Sequence, residues 1–239
     1  MNSTFKAIWE GKLSLKNIKW GEVSLPEFVL PIKLNVKRKR MWLNHLKDNP
    51  EDYDGRLLYL YNFQIENNKL ILNLGSIQFS TVIFMIKHKI PTNIGIGMMG
   101  VQCLIYSPCN HYILIGKRSS TQAYYPGAYT IPGGMLEEND LKREPYQALM
   151  REIYEEVPIS LQNENYLISI LIGWNNVSTT FLLNAKVNES YEFDPTEIIY
   201  SDKKEWQDNL KWLPLEELKT LNSDQLLDGL LYFKSILSY

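Results

Sequence analysis

Two apolar runs in the first third of the chain, RLLYLYNFQI and KLILNLGSIQF, are separated only by the polar ENN. Asn67 and Asn68 suit positive φ, so the pair predicts a β-hairpin. Between Val36 and Gly55 the pattern turns polar, first basic and then acidic. It predicts a short helix around Met41–Lys47, ended by Asn49-Pro50. The basic run Lys37–Arg40 reads as a solvated face neutralised by the neighbouring NPEDYDG. Residues 1–92 are therefore expected to form a small β-rich unit.

A second unit, residues 93–239, follows a different pattern. GVQCLIYS and ILIGKRS predict strands joined by a turn at CNHY, and TQAYYPGAYTIPGG predicts a loop closing on a short strand. Between Leu141 and Val157, the positions Leu141, Ala148, Leu149, Ile153 and Val157 recur at roughly helical spacing. NYLISILIGW and STTFLLNAKV predict two further strands. DNLKWLPLEELKTL leads into a helix, and SDQLLDGLLYFKSILSY predicts an amphipathic C-terminal helix with Ser223 as its N-cap. Strands, one polar helix, more strands and a covering helix indicate an α+β or α/β sandwich.

Composition adds limits. A chain of 239 residues, 45% hydrophobic, is long enough for one large domain or a catalytic domain with a smaller companion. A net charge of -2 offers no global attraction to nucleic acid or anionic membranes. Two cysteines make no disulfide framework, so a reducing compartment is the default. The N-terminus lacks a signal-peptide core, and no apolar run reaches bilayer length. A soluble cytoplasmic protein is expected.

GIGMMG, at Gly95–Gly100, matches the dinucleotide-binding spacing but leads into a β-branched apolar run. That motif must open a helix, so the context argues against a nicotinamide cofactor. REIYEEVP carries the chemistry instead. On a helix, Glu152, Glu155 and Glu156 fall at i, i+3 and i+4 and share a face. Three adjacent carboxylates repel one another unless a cation sits among them, and hard cations such as Mg²⁺ prefer oxygen ligands alongside substrate phosphates. The bland alternative is a solvated helix surface with Arg151 paired to Glu155. Upstream, Pro132-Gly133-Gly134 lets the backbone turn sharply and aim a carbonyl at the helix.

These segments resemble the Nudix hydrolases, whose signature is G-x5-E-x7-R-E-U-x-E-E-x-G-U with U apolar. The matching positions are Gly134, Arg151, Glu152, Ile153, Glu155, Glu156 and Ile159, and LKWLPLEEL (Leu210–Leu218) is similar to a segment that follows in the family. The resemblance implies an α/β/α sandwich, here with the β-rich N-terminal unit. It implies Mg²⁺, or Mn²⁺, held by Glu152, Glu155, Glu156 and the Gly134 carbonyl, with Arg151 orienting a carboxylate. It also implies hydrolysis of a nucleoside diphosphate linked to a group X. The general base varies in the family; Glu205 and Asp208 are candidates. Arg118 and Lys117 could meet phosphate oxygens, and Tyr124, Tyr125 and Trp174 could stack on a base or pack as core.

Two departures stand out. The interval from Gly134 to Arg151 is three residues longer than in the signature. Counted back from the helix, the signature's middle glutamate falls on Arg143, with Glu137 and Glu138 on the loop as substitutes. Pro158 also replaces the last glycine. AIWEGKL, the DYDG segment, the β-hairpin and then GIGMMGVQCLIY, together with the inserted residues, resemble the layout of a branch that includes UDP-glucose and UDP-galactose pyrophosphatases. A small-molecule nucleotide is therefore the expected partner, no membrane or nucleic acid is expected, and a homodimer is left open.

Overall fold

The protein is described by a computed structural model covering residues 6–21, 27–91, 97–120, 122, 125–157, 159–161, 166–173, 178–188, 191–199 and 206–237. In chain order the elements are β1 (Lys6–Leu13), β2 (Ile18–Trp20), α1 (Ile32–Asp48), β3 (Arg56–Glu66), β4 (Lys69–Gln78), α2 (Phe79–Lys87), β5 (Gly97–Tyr106), β6 (Tyr112–Arg118), β7 (Tyr129–Thr130) and β8 (Gly133–Met135). Then come α3 (Pro145–Glu156), β9 (Tyr166–Gly173), β10 (Ser178–Lys186), β11 (Ile198–Ile199), β12 (Trp206–Pro214), α4 (Leu215–Thr220) and α5 (Asp228–Leu237).

The predicted hairpin forms. β3 and β4 pair antiparallel, and Asn67 and Asn68 turn between them with φ of 48° and 58°. The expected Met41–Lys47 helix is longer, since α1 begins at Ile32. Its basic run is not uniformly solvated. Helical spacing turns Arg38 inward, 4% exposed, while Lys37, Lys39 and Arg40 stay outside. α2 carries no clear signal in the sequence: FSTVIFMIK is β-branched and apolar, yet it is helical because most of its side chains are buried. The leading segment is thus less purely β than its pattern suggests.

The described strands join one mixed sheet, with the order β1-β9-β10-β5-β3-β4-β2. β10 and β5 run parallel from Ser178↔Met98 to Lys186↔Tyr106. β3 meets β5 at Tyr59↔Met98, and β1 pairs with β9, so strands of the first 92 residues bond into the same sheet. Side chains of β5 alternate between two cores. Val101, Cys103 and Ile105 pack with Ala148, Leu149 and Ile153 of α3. Leu104 packs with Leu230 and Phe233 of α5 on the other face. This is the expected sandwich. GIGMMG leads into β5, not a helix; Gly95 and Ile96 lie outside the described residues.

α3 starts later than the spacing predicts. Residues Glu138–Lys142 form a separate 3-10 turn, and the helix opens at Pro145 with Glu144 and Gln147 in a reciprocal capping box. It closes at Val157, which is extended at φ -125°, ψ 101°. The residue before a proline disfavours the helical region, so Pro158 ends the helix without a terminal glycine. Near the C-terminus the cap differs from expectation. Asn222, not Ser223, caps a short 3-10 turn by accepting from the Asp224 N–H, and α5 starts afresh at Asp228. Among the described residues, no helix is long and apolar enough to cross a membrane.

Candidate active site

α3 presents its three glutamates to three different neighbours. Glu156 is 1% exposed, and its Oε2 accepts the Gly133 N–H at 2.7 Å. Glu152 is 5% exposed and lies against the turn: a Cβ on residue 134 would stand 2.0 Å from its Oε2. Only glycine at 134 lets the carboxylate come so near. Glu155, on the exposed rim, accepts from Arg151 Nη1 at 2.8 Å, which is the pairing expected at i+4.

Gly133 is constrained by β5. A Cβ there would stand 2.0 Å from the Val101 carbonyl oxygen, and that backbone is held in the sheet. Gly133→Ala is therefore expected to cost about 3 kcal/mol, the upper end of the usual range for overpacking. Thermal unfolding measures it, and an unchanged Tm would mean the turn can shift.

The residue that sequence reasoning missed is Asp140. It is 1% exposed and holds Arg151 through two bonds, Nε–Oδ1 at 3.1 Å and Nη2–Oδ2 at 2.8 Å. Its Oδ2 also accepts the Glu137 N–H at 2.9 Å, which fixes the turn before α3. The signature's middle acid is thus supplied at Asp140, not Arg143. Arg143 is exposed and reaches Asp140 Oδ1 at 3.3 Å. Glu137 caps the turn, and Glu138 pairs with Arg56 at 3.9 Å. The signal was available: five residues after Gly134, an acid follows at Asp140. The three extra residues lie between Asp140 and Arg151, where they let the chain pass from the 3-10 turn into α3.

Arg151 also touches Glu152 at 2.5 Å, so one guanidinium gathers three acids. Burial works to lower its pKa, but the hydrogen bonds to Asp140 and Glu155 and the charge of Glu152 outweigh that and hold it above its ordinary value. Among the described residues, no three acids, histidines or cysteines converge on a single metal point. The donor set nevertheless fits a hard cation. Glu152 and Glu155 line one cleft with the turn, and the Gly134 carbonyl oxygen lies close to Gly100 of β5, where a Cβ on residue 100 would stand 3.3 Å from it. All of these are oxygen ligands.

The cleft holds about 320 Å³. Gly133, Gly134, Arg151, Glu152 and Glu155 are among the residues that line it. Arg118 of β6 lines it, hydrogen-bonded to Gln122 at 3.3 Å. Lys117, next along the strand, instead lies 5.8 Å over the Tyr129 ring. Tyr125 occupies a left-handed turn position with φ 47° and is not a lining residue. Glu205, Tyr124 and Trp174 lie outside the described residues. The cleft further includes Tyr53, Leu57, Phe79 and Trp206, which no local pattern marked.

Comparison with known proteins bears on this geometry. The NUDIX domain model matches residues 98–230, more than half of the chain. Solved structures that overlap include a NUDIX hydrolase from Nitrosomonas europaea, at 18% identity and TM-score 0.41 over 58% of this chain and 86% of that one. A C. elegans Ap4A hydrolase overlaps at 20% identity and TM-score 0.38, over 59% and 98%. The NUDIX domain of Shewanella oneidensis NrtR, crystallised with ADP ribose, overlaps at 15% identity and TM-score 0.41, over 59% and 86%. No curated protein matches the chain. The family model covers the glycine turn, Asp140, the glutamate helix and most of the cleft, and on that match the chain belongs to the Nudix family, as a pyrophosphatase-type hydrolase.

Proposed function

We propose that the protein is a Mg²⁺-dependent hydrolase of a UDP-sugar of the UDP-glucose type, releasing UMP and a sugar 1-phosphate. The observation that carries the reading is the seating of Glu152 and Glu156 on the Gly133–Gly134 turn, with Glu152 opening into the cleft. Nudix hydrolases generally use divalent metals. Here Glu152, Glu155, Glu156 and the Gly134 carbonyl would hold Mg²⁺, with Mn²⁺ as a substitute. Bound there, the cation would offset the charge of the diphosphate and favour attack by water.

The chain's own residues supply the rest. Arg118 faces the cleft from β6 and would bind phosphate oxygens. Arg151, fixed by Asp140, sets where Glu152 and Glu155 lie. The water oxygen bonds to phosphorus, the bridging P–O bond breaks, and the bridging oxygen leaves with the other phosphate. The proton passes to a carboxylate base. Glu205 remains a candidate, and Glu137 brings a further carboxylate to the cleft. The UDP-sugar choice rests on the segment that precedes the family-matched residues and on the insertion ahead of α3, both of which resemble the UDP-sugar branch.

A substrate panel checks this. UDP-glucose, ADP-ribose, NADH, diadenosine polyphosphates and capped RNA are incubated with Mg²⁺ and with Mn²⁺, and phosphate-containing products are resolved. UDP-glucose is expected to turn over fastest. Preference for ADP-ribose or a dinucleotide would move the assignment to that pyrophosphatase class. Turnover of none would make the protein a nucleotide-binding module.

A further inference from the structure

The residues that line the cleft around its glutamates fall into two groups, here called arms, that come from different parts of the chain. One arm is joined by backbone bonds around β6: Arg118 pairs with Trp206, and Leu227 donates its N–H to Tyr129 O at 2.9 Å. The other is built from residues that precede the family-matched region. Phe79 donates its N–H to Gly55 O at 2.9 Å, and Leu57 bridges to Glu137, beside the turn that carries Asp140. Tyr53 lies across Gly55, where a Cβ would stand 2.7 Å from the ring Cε1. Tyr53 itself is 75% exposed, at the mouth.

A buried strut holds this second arm. The Asp54 carboxylate accepts the Ser80 N–H at 2.8 Å and the Ser80 hydroxyl at 2.7 Å, in the first turn of α2. Arg38 of α1 reaches Asp54 at 3.3 Å and Asn35 at 2.9 Å, and also donates to the Ser80 hydroxyl. Asp54 lies between Tyr53 and Gly55, so the strut fixes the arm to two helices at once. An exposed loop that only linked α1 to β3 would not need a buried arginine for this, because burying that charge is costly unless it is fully paired.

The geometry points to the Tyr53–Leu57 segment with Phe79 as the subsite for the group X of the substrate, with Arg38 and Asp54 as its positioning residues. An apolar and aromatic wall with an open mouth suits a ring that has an apolar face and a hydroxylated rim, which describes a sugar. The arm around Arg118 and Trp206 is left for the nucleoside. Specificity for X is thereby set by residues outside the family-matched part of the chain. This rests on the reading of the site as one for nucleoside diphosphate derivatives.

The test compares two ligands, one with X and one without. For Tyr53→Ala, KM for UDP-glucose should rise about tenfold, the equivalent of one lost aromatic contact, with kcat little changed. The inhibition constant of UMP should stay within about twofold, since UMP lacks X. Tyr53→Phe should restore KM. Asp54→Asn should shift KM as Tyr53→Ala does. If Asp54→Asn fails to fold, the exposed Tyr53 still decides the matter. An unchanged KM in Tyr53→Ala, or a parallel rise for UMP, overturns the subsite. If the wild type hydrolyses no UDP-sugar, the proposed activity fails, and calorimetric binding of UDP-glucose and UMP judges the arm separately. A preference for UDP-glucose that Tyr53→Ala abolishes upholds it, and no preference in the wild type overturns it.

Discussion

Glu156→Gln should lower turnover by at least about a hundredfold while the protein stays folded. Glutamine keeps an oxygen that can accept the Gly133 N–H, the 2.7 Å bond that ties α3 to the turn. It removes the negative charge. If Glu156 served only to pin the turn, the substitution would be mild, so the two roles separate in one measurement. Glu155→Gln probes the same charge from the exposed rim, where Glu155 accepts from Arg151 Nη1 at 2.8 Å. Steady-state turnover and thermal unfolding, measured side by side on both variants, check the prediction. Near-wild-type activity in both would reject α3 as the cation-holding helix.

Asp140→Ala should be the most destabilising single change at the site. Asp140 is 1% exposed and bonds two nitrogens of Arg151, one of them at 2.8 Å. Removing the buried partner of an ion pair costs about 3–5 kcal/mol, here because two Arg151 nitrogens and the Glu137 N–H lose their acceptor together. For a chain of this length that is a fall in Tm on the order of 10 °C. Activity should drop further than stability accounts for, even well below the new Tm. Without Asp140, Arg151 is left with Glu152 and Glu155, and it would hold those carboxylates away from a cation. Full activity at low temperature would show that Asp140 only stabilises the fold.

These two predictions mark what was legible from the residues. Glu156 was legible, because its place on the helix face follows from spacing alone. Asp140 was not found when counting ran back from Arg151, since the insertion displaced that count onto Arg143. Counting forward from Gly134 reaches it. The difference arises because α3 opens at Pro145, behind a separate 3-10 turn, and the sequence periodicity ran the two together. Arg38 was concealed in a similar way. A run of four basic residues reads as a solvated face, but one in such a run turns inward whenever a helix packs on its neighbours. Tyr53 and Phe79 carry no pattern at all, and they join the cleft because β3 pairs with β5 at Tyr59↔Met98.

Local physics already determined the hairpin at Asn67-Asn68, the glycine turn, the end of α3 ahead of the Val157-Pro158 pair and the single face shared by Glu152, Glu155 and Glu156. Each depends on backbone preferences within a few residues, which no distant contact has to supply. Only the tertiary structure decided which glutamate meets Gly133, which lies on Gly134 and which stays with Arg151, and only it brought Asp140 and Tyr53 to the same cleft. Those outcomes depend on how β8 registers against β5 and how α3 packs across the sheet, and both are set by burial of side chains far apart in the chain.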